Sequence, residues 1–263
     1  LVTFTRHGIF EDQANVEVAV AKLSRPGALA ASRILPFHAY TAWKTYSEQD
    51  AADPRIIAAL SDALEGSVAN LPLFAGRVAI APDVSGSMQS CFTNKQNTTS
   101  AAEVAGIFAA GLLRQCPNAT VLPFQHEVVP VALNPRDSVL SNAQKIARLG
   151  GGGTSLSAPV EMLLRRGDAV DLFVGITDNE EWVSAPGFGW GTGFLDAWRK
   201  YKAQVAPAAK AVLVTVVPDL CRPVPETEPD VHFVHGWSDA VMRHVAEVGG
   251  AAFTGSDDPD EAA

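Results

Sequence analysis

The sequence predicts an α/β protein: a mostly parallel, six-stranded sheet between helices, preceded by a small α-helical segment. Three observations carry that prediction. From Arg77 onward, short apolar runs alternate with helix-period segments, the pattern of a parallel sheet covered on both faces. Before Arg77 there is no strand signal, and the chain reads as helices. Two of the apolar runs end in a carboxylate, Asp83 and Asp178, and sheets of this class bind ligands beyond the carboxyl ends of their strands.

Each element has its own signal. Asp12 caps a helix over 12–23, which Pro26-Gly27 closes. A second helix covers 36–48. Asp53-Pro54 is a cap followed by a first-turn proline, and opens a helix to 68. Its stripe of Ile56, Ile57, Leu60, Leu64 and Val68 marks one buried face. Leu71-Pro72-Leu73 links these helices to the rest. Strands follow at 77–81, 120–124, 126–131, 171–177, 211–216 and 231–234, the second and third close enough to pair antiparallel. Helices are expected at 99–115, 137–149, 157–166, 194–205 and 238–248, the last closed by Gly249-Gly250. The expected organisation is a helical segment over 1–70, the end of a set of repeats, a sheet domain over 71–250, and an acidic tail over 251–263. That tail holds four acidic and no basic residues and is expected to be disordered.

Composition narrows the function. At 263 residues the chain can bury a sizeable core. Its net charge of −9 comes with no basic stripe of the kind that dominates nucleic-acid affinity, so RNA contact by this chain alone is expected to be weak. No run approaches the ~18 apolar residues of a membrane span, and no signal peptide is evident. The chain begins with Leu1 rather than Met, which suggests a piece of something longer. Cys91, Cys116 and Cys221 are odd in number and form no C-x-x-C, which points to a reducing, cytoplasmic setting and away from zinc.

The most informative segment is Asp83-Val84-Ser85-Gly86-Ser87-Met88, directly after the apolar run 78–81. Alone, such a loop is as readily a turn. Its carboxylate and two hydroxyls alternate, and all are the oxygen donors that hard divalent cations prefer. Two further segments complete a set: Gly150-Gly151-Gly152-Gly153-Thr154-Ser155, a flexible loop ending in hydroxyls, and the strand that ends Thr177-Asp178-Asn179. In this order the three resemble the metal-ion-dependent adhesion site of von Willebrand factor A domains, a Rossmann-like family. The resemblance implies direct ligation by Ser85 and Ser87, ligation by Thr154 directly or through water, and mostly water-mediated roles for Asp83 and Asp178. The ion would be Mg2+ or Mn2+. One position stays open for an acidic oxygen from a partner, a protein carboxylate or a phosphate.

Further segments resemble the Ro autoantigen, or TROVE-domain, proteins in their bacterial branch. Thr177-Asp178-Asn179-Glu180 resembles that family's third metal motif, and Val121-Leu122-Pro123-Phe124 with Val128-Val129-Pro130 its second strand region. Upstream, Arg6-His7-Gly8-Ile9-Phe10, Lys44-Thr45-Tyr46 and the stretch from Asp53 to Leu60 resemble its last helical repeats. The family implies a ring of HEAT-like repeats closed by an A domain, binding noncoding Y RNAs and misfolded RNAs in a ribonucleoprotein. Most of that ring would lie before Leu1, and RNA would be bound mainly through it. One departure is Pro82, which removes a ladder donor just before Asp83.

Other candidates are weighed against this reading. Trp182, Phe188 and Trp190 follow Asp178 and are either a partner-binding patch or a cover for the sheet end; with Asn179 and Glu180, Trp182 is the better partner-contact candidate. Glu180 and Glu181 are more readily solvated than catalytic. His126 reads as a turn residue, His232 and His235 as a poor metal pair, and Arg199, Lys200 and Lys202 as a solvated helix face. No G-x-S-x-G and no P-loop is present, so a binding module is expected rather than an enzyme. The alternatives are an A-type subunit of a metal-chelatase or ATPase-linked assembly complex, and a metal-dependent phosphohydrolase.

Overall fold

The computed structural model describes residues 3–4, 7–25, 34–90, 99–178, 193–216 and 228–251. Three helices come first: α1 (Gln13–Leu23), α2 (Pro36–Ser47) and α3 (Pro54–Ser67). Asp12 caps α1 by accepting from the Ala14 N–H at 2.9 Å, and Asp53 caps α3 by accepting from the Arg55 N–H at 2.8 Å. The sheet domain then runs β1 (Val78–Pro82), α4 (Gly86–Ser90), α5 (Ala101–Gln115), β2 (Ala119–Val121), α6 (Val139–Ala147), α7 (Ser157–Arg166), β3 (Leu172–Thr177), α8 (Gly193–Gln204), β4 (Lys210–Thr215), β5 (Val231–His235) and α9 (Asp239–Gly249).

The described sheet has five strands, in the order β2-β1-β3-β4-β5, all parallel. The order reverses at β1, the switch point where such sheets open a crevice. The expected sixth strand, over 126–131, is reduced to one antiparallel bridge between Phe124 and Val128. Regular strand structure in β2 already ends at Val121, and Pro123 and Pro130 lack the donors that a longer hairpin would need. The short helix α4 was not expected; it starts inside the D-x-S-x-S loop.

Strand side chains alternate between two cores. Val78, Ile80, Val174, Ile176, Val212 and Val214 face α5, α6 and α9. Ala79, Ala81, Phe173, Ala211 and Leu213 face α7 and α8, where Phe194 stacks on Trp198 and Trp198 meets Tyr201 at a tilt. Helix α5 packs so closely on α6 that a Cβ at Gly106 would sit 2.8 Å from the Ala143 carbonyl oxygen. Arg199 and Lys202 pair with Glu228 and Asp230, so two of the three expected solvated bases anchor the approach to β5.

The helical segment shares the first core. Phe37, Tyr40, Leu64 and Val68 belong to the same buried cluster as the sheet, and Phe37 stacks on Phe108 of α5 with ring centroids 5.5 Å apart. A polar knot ties the seam. Glu103 is the third residue of α5 and closes a capping box with Ser100. It also accepts from Lys44 Nζ and from the Tyr40 hydroxyl, each at 2.7 Å. Burial pushes the Glu103 carboxyl up, but Lys44, the Ser100 N–H and Tyr40 outweigh it and hold the group below its ordinary range. Burial, then Glu103, pushes the Tyr40 phenol up. Glu103→Ala is therefore expected to destabilise the protein by about 3 kcal/mol in urea unfolding, through loss of the cap and of a half-buried ion pair. A loss below about 1 kcal/mol would show that the seam does not depend on this knot.

Candidate metal centre

The centre is assembled at the carboxyl ends of β1 and β3. Their register pairs Pro82 with Ile176, so Asp83 and Thr177 come next to each other. The Asp83 N–H donates to the Ile176 carbonyl at 2.8 Å, and the Val84 N–H to the Phe124 carbonyl at 2.8 Å. The loop is thus held from both sides. By the alternation of the ladder, the donor that Pro82 lacks would have faced the Leu122 side, where β2 has already lost its regularity. The departure at Pro82 leaves both anchors of the loop in place.

Asp83 is fully buried. Its Oδ1 accepts from the Ser85 N–H and its Oδ2 from the Thr177 hydroxyl, each at 2.8 Å. Ser85 is buried, and its Oγ lies 3.1 Å from the Ser87 Oγ. The glycine loop docks directly on this turn: Gly86 N–H donates to the Gly152 carbonyl at 3.1 Å, and Gly151 N–H to the Val84 carbonyl at 3.2 Å. Gly152 has φ 79°, and a Cβ there would meet Gln125 Oε1 at 2.8 Å, so only glycine suits the position. Two residues on, Thr154 is buried, and its Oγ1 has no hydrogen-bond partner. Asp178, also buried, follows β3 directly, and its charge acts on Asp83.

Burial first, and the Asp178 carboxylate second, push the Asp83 carboxyl from its ordinary 3.8 up to about 7, against the hydrogen bonds from Ser85 and Thr177. Two buried carboxylates facing hydroxyls form a site short of positive charge. A divalent cation would supply it, and the donor set, all oxygen, fits a hard ion. The orphaned Thr154 hydroxyl is an acceptor in want of a partner. Among the described residues no three His, Cys, Asp or Glu side chains converge.

The five expected ligands come to one end of the sheet, Ser87 in the first turn of α4 and the others on the loops around it. The expected partner contacts Asn179, Glu180 and Trp182 lie outside the described residues, as do Glu181, Phe188 and Trp190. Two contributors were not expected. Thr177 orients Asp83; a hydroxyl directly before the strand-ending carboxylate was its signal. His126, read as a turn residue, rims the centre: a Cβ at Gly152 would lie 3.1 Å from its Nδ1. His232 sits on edge strand β5 against His244, at 5.6 Å between rings, far from this chemistry in the fold.

The family model of the Ro60 von Willebrand factor A (vWA) domain matches residues 77–247, and the chain belongs to that family. The RNA-binding protein RO60 of Deinococcus radiodurans is 30% identical over 180 residues, which cover 65% of this chain and 34% of that protein. The crystal structure of the Deinococcus radiodurans RO (RSR) protein superposes with a TM-score of 0.72 at 24% identity, over 91% of this chain and 49% of that one. That likeness of fold reaches beyond the sheet domain into the helices before it. Proximal thread matrix protein 1 of the mussel byssus is more distant, with a TM-score of 0.44 at 13% identity over 68% of this chain and 47% of that one. The chain spans about a third of the curated relative's length and about half of the solved Ro chain.

The raised Asp83 carboxyl makes a stability prediction for the protein in EDTA. A folded-state value above the unfolded one favours folding at low pH, and that contribution is lost as pH rises through about 7. Asp83→Asn removes the titration while its amide can still pair with Ser85 and Thr177. Its melting temperature should equal the parent's near about pH 4 and exceed it near about pH 8. Equal melting at both pH values would mean that Asp83 is not desolvated as described.

Proposed function

We propose that this chain is a metal-dependent binding module of a Ro-type RNA-binding protein. Asp83, Ser85, Ser87, Thr154 and Asp178 hold a divalent ion, Mg2+ or Mn2+. When bound, the ion offers a positive charge with an open position for an acidic oxygen of a partner, a protein carboxylate or a phosphate. The observation that carries the reading is the buried Thr154 hydroxyl without a partner, on a loop bonded to the turn that holds Asp83, Ser85 and Ser87. Thr177 orients Asp83 by donating to Oδ2, which leaves Oδ1 to brace the turn at Ser85. Three hydroxyls and two carboxylates suit capture of an anion better than activation of water, so we read a binding module and not an enzyme.

RNA enters through the relative, which is named an RNA-binding protein. With a net charge of −9 and no basic stripe, this chain is a poor surface for a polyanion. We therefore assign the main RNA contact to the portions of the relatives beyond this chain's span, and an acidic partner group to the metal centre. No described helix is long and apolar enough to cross a membrane.

Calorimetry with Mg2+ and Mn2+ on this chain and on Asp83→Ala/Ser85→Ala tests the centre, followed by RNA binding at two salt concentrations. The expected result is saturable metal binding that the double variant loses, with weak RNA binding that falls steeply with salt. No metal binding, or RNA binding that is tight and equal in both proteins, would place the function elsewhere.

A further inference from the structure

A cavity of about 380 Å³ opens at the seam between α2 and α6, beside the metal centre but separate from it. Trp43 and Lys44 on α2 line one side; Gln144, Ala147 and Arg148 on α6 and its cap line the other. Gln89 of α4 lies between them. The volume is at the small end of ligand sites, room for one compact molecule and not for a helix.

The lining narrows the ligand's chemistry. Lys44 is held by both oxygens of Glu103, at 2.7 Å each, so its charge is already matched. Among the described residues the exposed Arg148 guanidinium has no ion-pair partner, and it marks one edge of the cavity as an anion contact. Trp43 is half-buried and stacks on Tyr40 with centroids 5.8 Å apart. It lines the cavity together with the small residues Ala143 and Ala147, one helical turn apart on α6. The Gln144 side-chain amide offers both a donor and an acceptor. Glu48, exposed at the C-cap of α2, lines the cavity as well, while Glu103 is taken up by Lys44. An aromatic side chain, small residues, an amide, a carboxylate and a guanidinium without an ion pair suit a planar ring whose polar edge donates to Glu48 and whose anionic tail meets Arg148.

We infer that this cleft takes one nucleotide, its base against Trp43 and its phosphate on Arg148. The choice of ligand class rests on the RNA-binding reading above; the site itself does not use the metal. Gln89 connects the two places. It lies two residues after Ser87, donates to the Ala147 carbonyl at 2.7 Å, and packs against Gly150 at the start of the glycine loop.

The test is calorimetric titration of the whole chain, in EDTA, with GMP, AMP and ribose 5-phosphate. GMP and AMP should saturate with Kd on the order of 1 mM or tighter. Ribose 5-phosphate should bind about tenfold more weakly, having no base to stack. Arg148→Glu, at an exposed position, should weaken GMP about tenfold, and Ala147→Phe should abolish binding by filling the slot. No saturable nucleotide binding, equal binding of ribose 5-phosphate, or unchanged GMP binding in both variants would overturn the assignment. A four-nucleotide single-stranded RNA that binds tighter than GMP identifies the source as RNA; one that binds no tighter identifies a free nucleotide. Nucleotide binding in EDTA beside a flat Mg2+ titration would remove the metal reading alone, and the reverse pattern would remove this one alone.

Discussion

The parallel pairing of β1 with β3 is the constraint from which the rest of the centre follows. It sets Pro82 against Ile176, and one residue further it sets Asp83 against Thr177 with Asp178 next in line. A slip of one residue would turn each strand's side chains to the other face and exchange the two cores. The register is therefore fixed by Val78, Ile80, Val174 and Ile176 on one side and by Ala79, Ala81 and Phe173 on the other. The apolar interior thereby determines the placement of two buried carboxylates. Desolvation and mutual repulsion oppose their joint ionisation, and the Thr177 and Ser85 hydrogen bonds only partly offset it. A site so built is strained electrostatically until a cation or a proton arrives.

Five of the six strands, and the grouping of the candidate residues at strand ends, were legible in the sequence because both depend on local pattern. Asp83, Ser85 and Ser87 are close in the chain and follow an apolar run; Asp178 closes another. Helix starts were read from Asp12 and Asp53 because a cap is a local hydrogen bond. What was not legible depends on distance through space. The stretch over 126–131 has strand-like alternation, yet it meets Phe124 at a single bridge, since prolines at 123 and 130 interrupt the ladder. His126 looks like a turn residue in the chain and becomes a rim residue only because Gly152 folds against it. Thr177 stood inside a recognised motif, but its bond to Asp83 spans 94 residues and needs the register to be known.

The seam with the helical segment has a similar logic. The sheet domain covers the helical segment directly: Phe37 and Tyr40 enter the core of α5, and Glu103 binds Lys44 and Tyr40 while capping its own helix. One carboxylate therefore joins the start of α5 to α2. Helix α5 in turn packs against β1, and α4 begins within the turn that carries Ser85 and Ser87. Gln89 of α4 rests on both the glycine loop and α6. The candidate metal centre and the helices that precede it are joined through packed side chains.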